Sequence, residues 1–262
     1  MFCAIWRRRP EAVGFERRQA SLAMMEDSNH VTSTGNARQI AKAPTQGAAR
    51  IACMAALLVT WAGPAHARCS DRPAAGVDWS ACKKSGLSLA GTSLNGAIMV
   101  KTDLTGTDFS EAIVAGADLS KSDLSNAWFV KADLAKTTFA GAFGTRTRFA
   151  GANLAGADFS KVEFSRIDMK AAVLAGANLA GAQLVRANLS GAQLQGATLA
   201  SGNLSRAVLA GADLAETDLA GAYLYLARLE NTDLSGTKGL TSDQVKAACG
   251  DATTKLDRKS VV

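Results

Sequence analysis

The feature that most constrains this chain is a five-residue period. From Ala172 to Ser201 the sequence reads A-V-L-A-G, A-N-L-A-G, A-Q-L-V-R, A-N-L-S-G, A-Q-L-Q-G, A-T-L-A-S, one phrase written six times. With Leu174 as phase marker, the series runs by fives from Leu89 to Leu234, thirty positions without an insertion. The markers are Leu, Phe, Met or Val at every position except Gly144. Two residues before the marker the commonest residue is Ala, then Thr; two residues after it, Gly.

Neither regular element accommodates such a period. Five residues turn an α-helix by about 500°, so the markers would drift around its axis and leave no apolar face. In a flat strand an odd step sends successive markers to opposite faces. A chain that turns a corner every five residues does fit, since each pentad becomes one wall of a coil. The marker points inward, the Ala or Thr fits the crowded interior, and Gly eases the corner. Coils then stack at about the 4.8 Å spacing of paired strands.

On these residues the sequence resembles the pentapeptide repeat family, whose motif is A-(D/N)-L-x-x, over residues 87–236. The resemblance implies an all-β fold, a right-handed quadrilateral β-helix with four pentads to a coil, and hence 7.5 coils for thirty pentads. It says little about activity, because many proteins with this repeat have no assigned role.

Residues 1–67 share none of this character. Eight Arg and Lys precede an apolar run, Ile51 to Ala62, followed by Gly63, Pro64 and Ala65-His66-Ala67. A basic flank, a short apolar run and an A-x-A site read as a secretory signal peptide cleaved after Ala67. Its run is too short to span a bilayer, so no stable membrane anchor is expected. The flank is long for a signal, and Met24 or Met25 is an alternative start. Arg68 before Cys69 argues against a lipoprotein.

Cleavage changes the chemistry. The whole chain carries a formal net charge of +6, but the leader holds eight basic and four acidic residues, so the mature chain falls to +2. Residues 87–236 hold 12 basic and 14 acidic residues, which removes the nucleic-acid signal suggested by the whole-chain charge. Both histidines, His30 and His66, leave with the leader, and with them Ser-His or Cys-His nucleophiles and histidine metal sites. No catalytic residue, cofactor or metal ligand is expected.

Residues 68–86 form a predicted amino-terminal cap. An exported chain meets an oxidising compartment, where Cys69 and Cys82 either pair or remain free thiols. Val77, Trp79 or Leu87 would cover the open end of the core, which a β-helix needs at both ends. Residues 237–256 form a carboxyl-terminal cap. Thr241 with Gln244 reads as a capping box and Gly250 as a stop, giving a short helix near 242–249, with Leu240 and Val245 over the last coil. The last six residues, D-R-K-S-V-V (257–262), are what a common sequencing adapter encodes when read to its in-frame stop. On that reading the natural tail is missing and Cys249 is left without the later cysteine that tails of exported relatives carry.

Reading by twenties aligns residues that stack. Arg146, Arg166, Arg186 and Arg206 form one corner column, a candidate partner-binding strip; Lys101, Lys121 and Lys161 form the neighbouring one. Asp103, Asp123 and Glu163 stand two residues after those lysines and would match their charge. Trp128 either stacks on Arg148 or is an exposed contact residue. Tyr223, Tyr225 and Leu226 suit a cap or a dimer contact. Phe143 is expected to rotate inward over Gly144. The function read from this is a non-enzymatic, periplasmic or secreted scaffold or protein-interaction module, with a protein partner or a homodimer through a β-helix end. The alternative is a cytoplasmic DNA mimic that binds gyrase, as some family members do; it needs a strongly acidic surface and no signal peptide.

Overall fold

The main-chain N–H groups show how a pentad closes, and the computed structural model describes residues 68–256 of the 262-residue chain. The predicted leader, its cleavage site and the adapter-like hexapeptide lie outside the described residues. Within a pentad, the marker donates to the next coil (Leu89 N to Asp108 O, 2.7 Å), as does the corner residue (Gly91 N to Ser110 O, 2.9 Å). The residue after the corner closes the turn (Thr92 N to Leu89 O, 3.1 Å), and the residue before the marker donates backward (Asp108 N to Leu87 O, 2.8 Å). One donor remains, the N–H after the marker. Where the residue before the marker is Asp or Asn, its side chain accepts that bond, as in Ser110 N to Asp108 Oδ1 (2.9 Å) and Ser205 N to Asn203 Oδ1 (3.1 Å). The D/N of the motif is therefore a turn device, an Asx-type bond that satisfies a donor the ladder leaves over.

Parallel bridges join residues twenty apart, from Asp78↔Ile98 to Asp218↔Lys238, so four walls make one turn. Every fifth residue from Gly76 to Gly236 has φ between +54° and +82°, whether glycine or not. This left-handed corner explains the glycine preference, because a Cβ there costs about 1–2 kcal/mol.

Inward-facing markers form the core. Phe109, Phe129 and Phe149 stack at 4.7 and 5.0 Å, Phe139 and Phe159 at 4.6 Å, and the two columns meet edge to face. These separations equal the coil spacing, so one ring per turn is in register with the ladder. Thr replaces Ala before a marker at a defined place: Thr147 Oγ1 donates to Leu124 O (2.8 Å) and Thr217 Oγ1 to Leu194 O (2.8 Å), each a marker carbonyl of the coil beneath. The hydroxyls are buried and satisfied.

The first coil starts earlier than the apolar series indicates. Trp79 occupies a marker position and is fully buried, and Lys84 occupies the next one. Lys84 Nζ lies 4.0 Å from the Trp79 ring centroid and donates to Cys69 O at 2.7 Å, laying its stem across the open end. Burial pushes this ammonium below its ordinary range, and Asp71 partly offsets the effect. Val77 is buried beside it, whereas Leu87 is exposed and takes no part in closing the end. The structure joins Cys69 to Cys82, with Cα atoms 5.4 Å apart.

At the other end the helix α1, Ser242–Ala247, replaces one wall of the final turn. Its capping box is Thr241 with Gln244, and Gln244 Nε2 also donates to Leu219 O and Ala222 O at 2.8 Å each. Leu240 is fully buried and Val245 packs against the core. Gly250 does not stop the helix: Ala248 turns extended (φ −88°, ψ 169°), and Cys249 rejoins the ladder opposite Arg228.

Phe143 does not turn inward. It is 44% exposed, and Gly144 leaves no space for it, since a Cβ on Gly144 would sit 2.9 Å from Thr147 Oγ1 and 3.0 Å from Leu124 C. Thr147 Oγ1 and the main chain of the coil beneath take up that space. Gly144→Ala therefore destabilises by about 1–3 kcal/mol through overpacking. Gln244→Ala costs about 1–2 kcal/mol by uncapping α1 and the last coil. Urea denaturation of the two variants measures both. Asp78 and Asp233 are held below the ordinary carboxylate range by hydrogen bonds from Ser80 and Ser235. A lowered pKa contributes stability that is complete above the unfolded value and lost as pH falls through the folded one. Melting temperature should therefore fall between about pH 5 and pH 2, and Asp233→Asn should flatten that fall.

Candidate functional site

One wall differs from the other three. Among the described residues, three-residue strands occur only here: β1 (Phe143–Thr145), β2 (Glu163–Ser165) and β3 (Gln183–Val185), parallel and in register. This is the wall on which three successive coils lack Asp or Asn before the marker. The corner after each strand is an arginine.

Arg146, Arg166, Arg186 and Arg206 stand on successive coils, all exposed, with φ of +57°, +55°, +59° and +57°. Their main-chain N–H groups donate to Ser165, Val185, Ser205 and Tyr225 carbonyls at 2.8 to 3.1 Å. The ladder thus fixes the Cα atoms at one-coil intervals of about 4.8 Å. Four ion pairs form among the described residues (Arg228–Glu230, Lys238–Glu216, Lys246–Asp243 and Lys255–Asp233), and none uses these arginines.

Beside the arginines, Thr145, Ser165, Val185, Ser205 and Tyr225 continue the wall, and with Tyr223 they line an open groove of about 860 Å³. Tyr223 and Tyr225 are 56% and 46% exposed, their rings near-parallel with centroids 6.1 Å apart. The structure therefore brings two separate sequence features, the arginine column and the tyrosine pair, into one groove. The tyrosines do not cap the coil; Leu240 and α1 do. Leu226 is only half-buried, at the arginine-column corner one coil further on, and its N–H donates to Ala247 O.

The lysine column is built differently. A Cβ on Gly141 would lie 3.6 Å from Lys121 Cγ, and one on Gly181 would lie 3.8 Å from Lys161 Cγ. The Lys121 and Lys161 stems lie across the glycine of the coil above, whereas Lys101 is followed by Lys121. The arginine column has no such glycine between its members. The expected match of lysines to Asp103, Asp123 and Glu163 is not an ion pair: Asp103 and Asp123 accept from Thr105 and Ser125 N–H in their own turns. Trp128, 43% exposed, does stack on Arg148, with the guanidinium carbon 4.5 Å from the ring centroid.

Among the described residues no group of His, Cys, Asp and Glu is arranged to hold a metal ion, and no helix is long and apolar enough to cross a membrane. A stack of five-residue walls with left-handed corners and an inward apolar column defines a solenoid of pentads. The pentapeptide repeat model matches residues 88–126, 129–166, 167–200 and 203–238, in eight copies. The chain belongs to the pentapeptide repeat family, and its fold is the right-handed quadrilateral β-helix.

Solved structures similar to it include the following three. HetL, involved in heterocyst differentiation regulation in the cyanobacterium Nostoc sp. strain PCC 7120, is 26% identical over 71% of this chain and 90% of its own, with a TM-score of 0.43. Full-length QnrB1, a plasmid-mediated fluoroquinolone resistance protein, is 18% identical over 68% and 94%, with a TM-score of 0.35. A pentapeptide repeat protein of the Arabidopsis thaliana thylakoid lumen is 27% identical over 50% and 66%, with a TM-score of 0.19. Among proteins of curated function, none matches.

Arginine at a left-handed corner carries strain that glycine does not. Arg186→Gly and Arg206→Gly should each leave stability unchanged or raise it by up to about 1 kcal/mol, the relief of strain being partly offset by a freer unfolded chain. Thermal unfolding of the single and double variants checks this.

Proposed function

We propose that the protein is a non-enzymatic, exported scaffold or interaction module that docks an anionic partner against its arginine-bordered wall. The observation that carries this is the column of four arginines, strained at their corners and without ion pairs to described residues, along an open groove. Exposed like charges about 5 Å apart repel by roughly 1 kcal/mol each even at the dielectric of water. An anion would relieve that repulsion.

Export is supported by the signal-like leader and by the Cys69–Cys82 bond, which suits a periplasmic or extracellular setting. A rigid body with short turns and no histidine after cleavage supports scaffolding over catalysis. The DNA-mimic reading calls for an acidic face, and the groove is bordered by cations.

Two measurements test the proposal. Cell fractionation with amino-terminal sequencing should find a mature chain beginning at Arg68 in the periplasm or medium; an intact leader in the cytosol would overturn export. Arg186→Glu with Arg206→Glu should weaken capture of an anionic partner by at least about tenfold, or about 1.4 kcal/mol. Undiminished capture would overturn docking at this wall.

A further inference from the structure

The wall that carries the arginines changes character halfway along. Parallel bridges join its outward residues one per coil, from Lys83 to Tyr223 in steps of twenty. In the amino-terminal half, Lys83, Asp103 and Asp123 stand beside small corner residues, Gly86, Gly106 and Asn126. In the carboxyl-terminal half, Gln183, Asn203 and Tyr223 stand beside Arg186, Arg206 and Leu226. One half therefore offers carboxylates beside short side chains, and the other offers long cations.

We propose that this wall is a self-association face, on which two copies pack side by side with their β-helix axes antiparallel. This rests on the reading of the wall as an anion-docking face and names its partner. Two-fold symmetry makes such a contact reciprocal, each half of one wall meeting the other half of its partner. With all the rungs from Lys83 to Tyr223 overlapped, Arg206 meets the partner's Asp103 across the partner's Gly106. Arg186 meets the partner's Asp123 in the same way. The central rungs set Arg146 against the partner's Glu163 and Arg166 against the exposed ring of the partner's Phe143. At each end the exposed Tyr223 and Tyr225 face the partner's Lys83.

The carboxylates have capacity for this. Asp103 and Asp123 each use Oδ1 on the N–H of their own turn, from Thr105 at 3.0 Å and Ser125 at 2.9 Å. A carboxylate has about four acceptor sites, so a second oxygen is left for a guanidinium. Neither these two aspartates nor Glu163 enters the ion pairs formed among the described residues. A second copy also shares the coil spacing by construction, so a match on one rung holds on the next. Parallel axes would instead set each arginine against its own counterpart, like charge on like. The wall is about 38 Å long and about 12 Å wide. Two such faces bury about 900 Å², the size of a weak, reversible contact.

Sedimentation velocity of the mature chain over a concentration series tests the proposal. At low salt a monomer–dimer equilibrium is expected, shifting to monomer as salt rises. Asp103→Asn/Asp123→Asn should weaken the dimer at least tenfold. Asparagine keeps the turn bond, as Asn203 shows in the same column, and removes only the charge. Arg186→Gly/Arg206→Gly should weaken it by a similar factor, with unchanged or raised thermal stability to exclude misfolding. Thr105→Cys/Ser205→Cys puts thiols on facing rungs, so a short bis-maleimide should cross-link that double variant and neither single variant. A dimer indifferent to both charge variants overturns this pairing, as does a dimeric double variant that does not cross-link. A chain that stays monomeric throughout overturns it too. In that case, retention on a sulfonated resin that Arg186→Gly/Arg206→Gly abolishes leaves anion docking standing. Retention that those substitutions leave unaltered overturns both.

Discussion

Each wall of this molecule depends on a corner that an L-amino acid adopts at a cost. The left-handed residue two places after the marker turns the chain and aims its own N–H at the coil above, so the marker column and the ladder exist only while it holds. Glycine is the inexpensive occupant, and many corners use it. At the others the strain is carried by the cooperative ladder around it, which has bonds on both sides of each coil. The corner is also where a side chain leaves the wall without touching the core. A residue there changes the surface and leaves the packing alone.

Much of the architecture was legible in the residues. Period five excluded helix and strand, and stepping by twenty placed the four arginines in one column. The ends were less legible. Lys84 stands in marker phase but was hidden, because a search for apolar markers passes over a lysine whose stem does the covering. Gly144 suggested a void for Phe143, whereas Thr147 and the main chain of the coil beneath already crowd that position, which side-chain size alone does not reveal. Gly250 looked like a helix stop, yet the ladder at Cys249 ends the helix first.

The groove itself was half visible. Its arginines and its tyrosines appeared in the sequence as unrelated groups, because Tyr225 lies nineteen residues after Arg206, one short of the stacking step. Only the wall geometry shows that the residue before a corner and the corner residue of the coil beneath share one surface. The lysine–aspartate match failed for a reason that the turn chemistry supplies. Those carboxylates already accept from the N–H after the marker, so their apparent charge pairing was a by-product of the motif.

The carboxyl-terminal seal has a consequence for length. Gln244 closes the last coil by bonding to main-chain carbonyls, which every coil presents alike. The seal therefore recognises a position around the coil and is indifferent to how many turns precede it. Whole turns of twenty residues can be gained or lost upstream while the helix still lands on its wall. A gain of five would rotate everything after it by a quarter turn, moving the tyrosines off the face that carries the arginines. The molecule can grow only in complete revolutions if its face is to stay continuous.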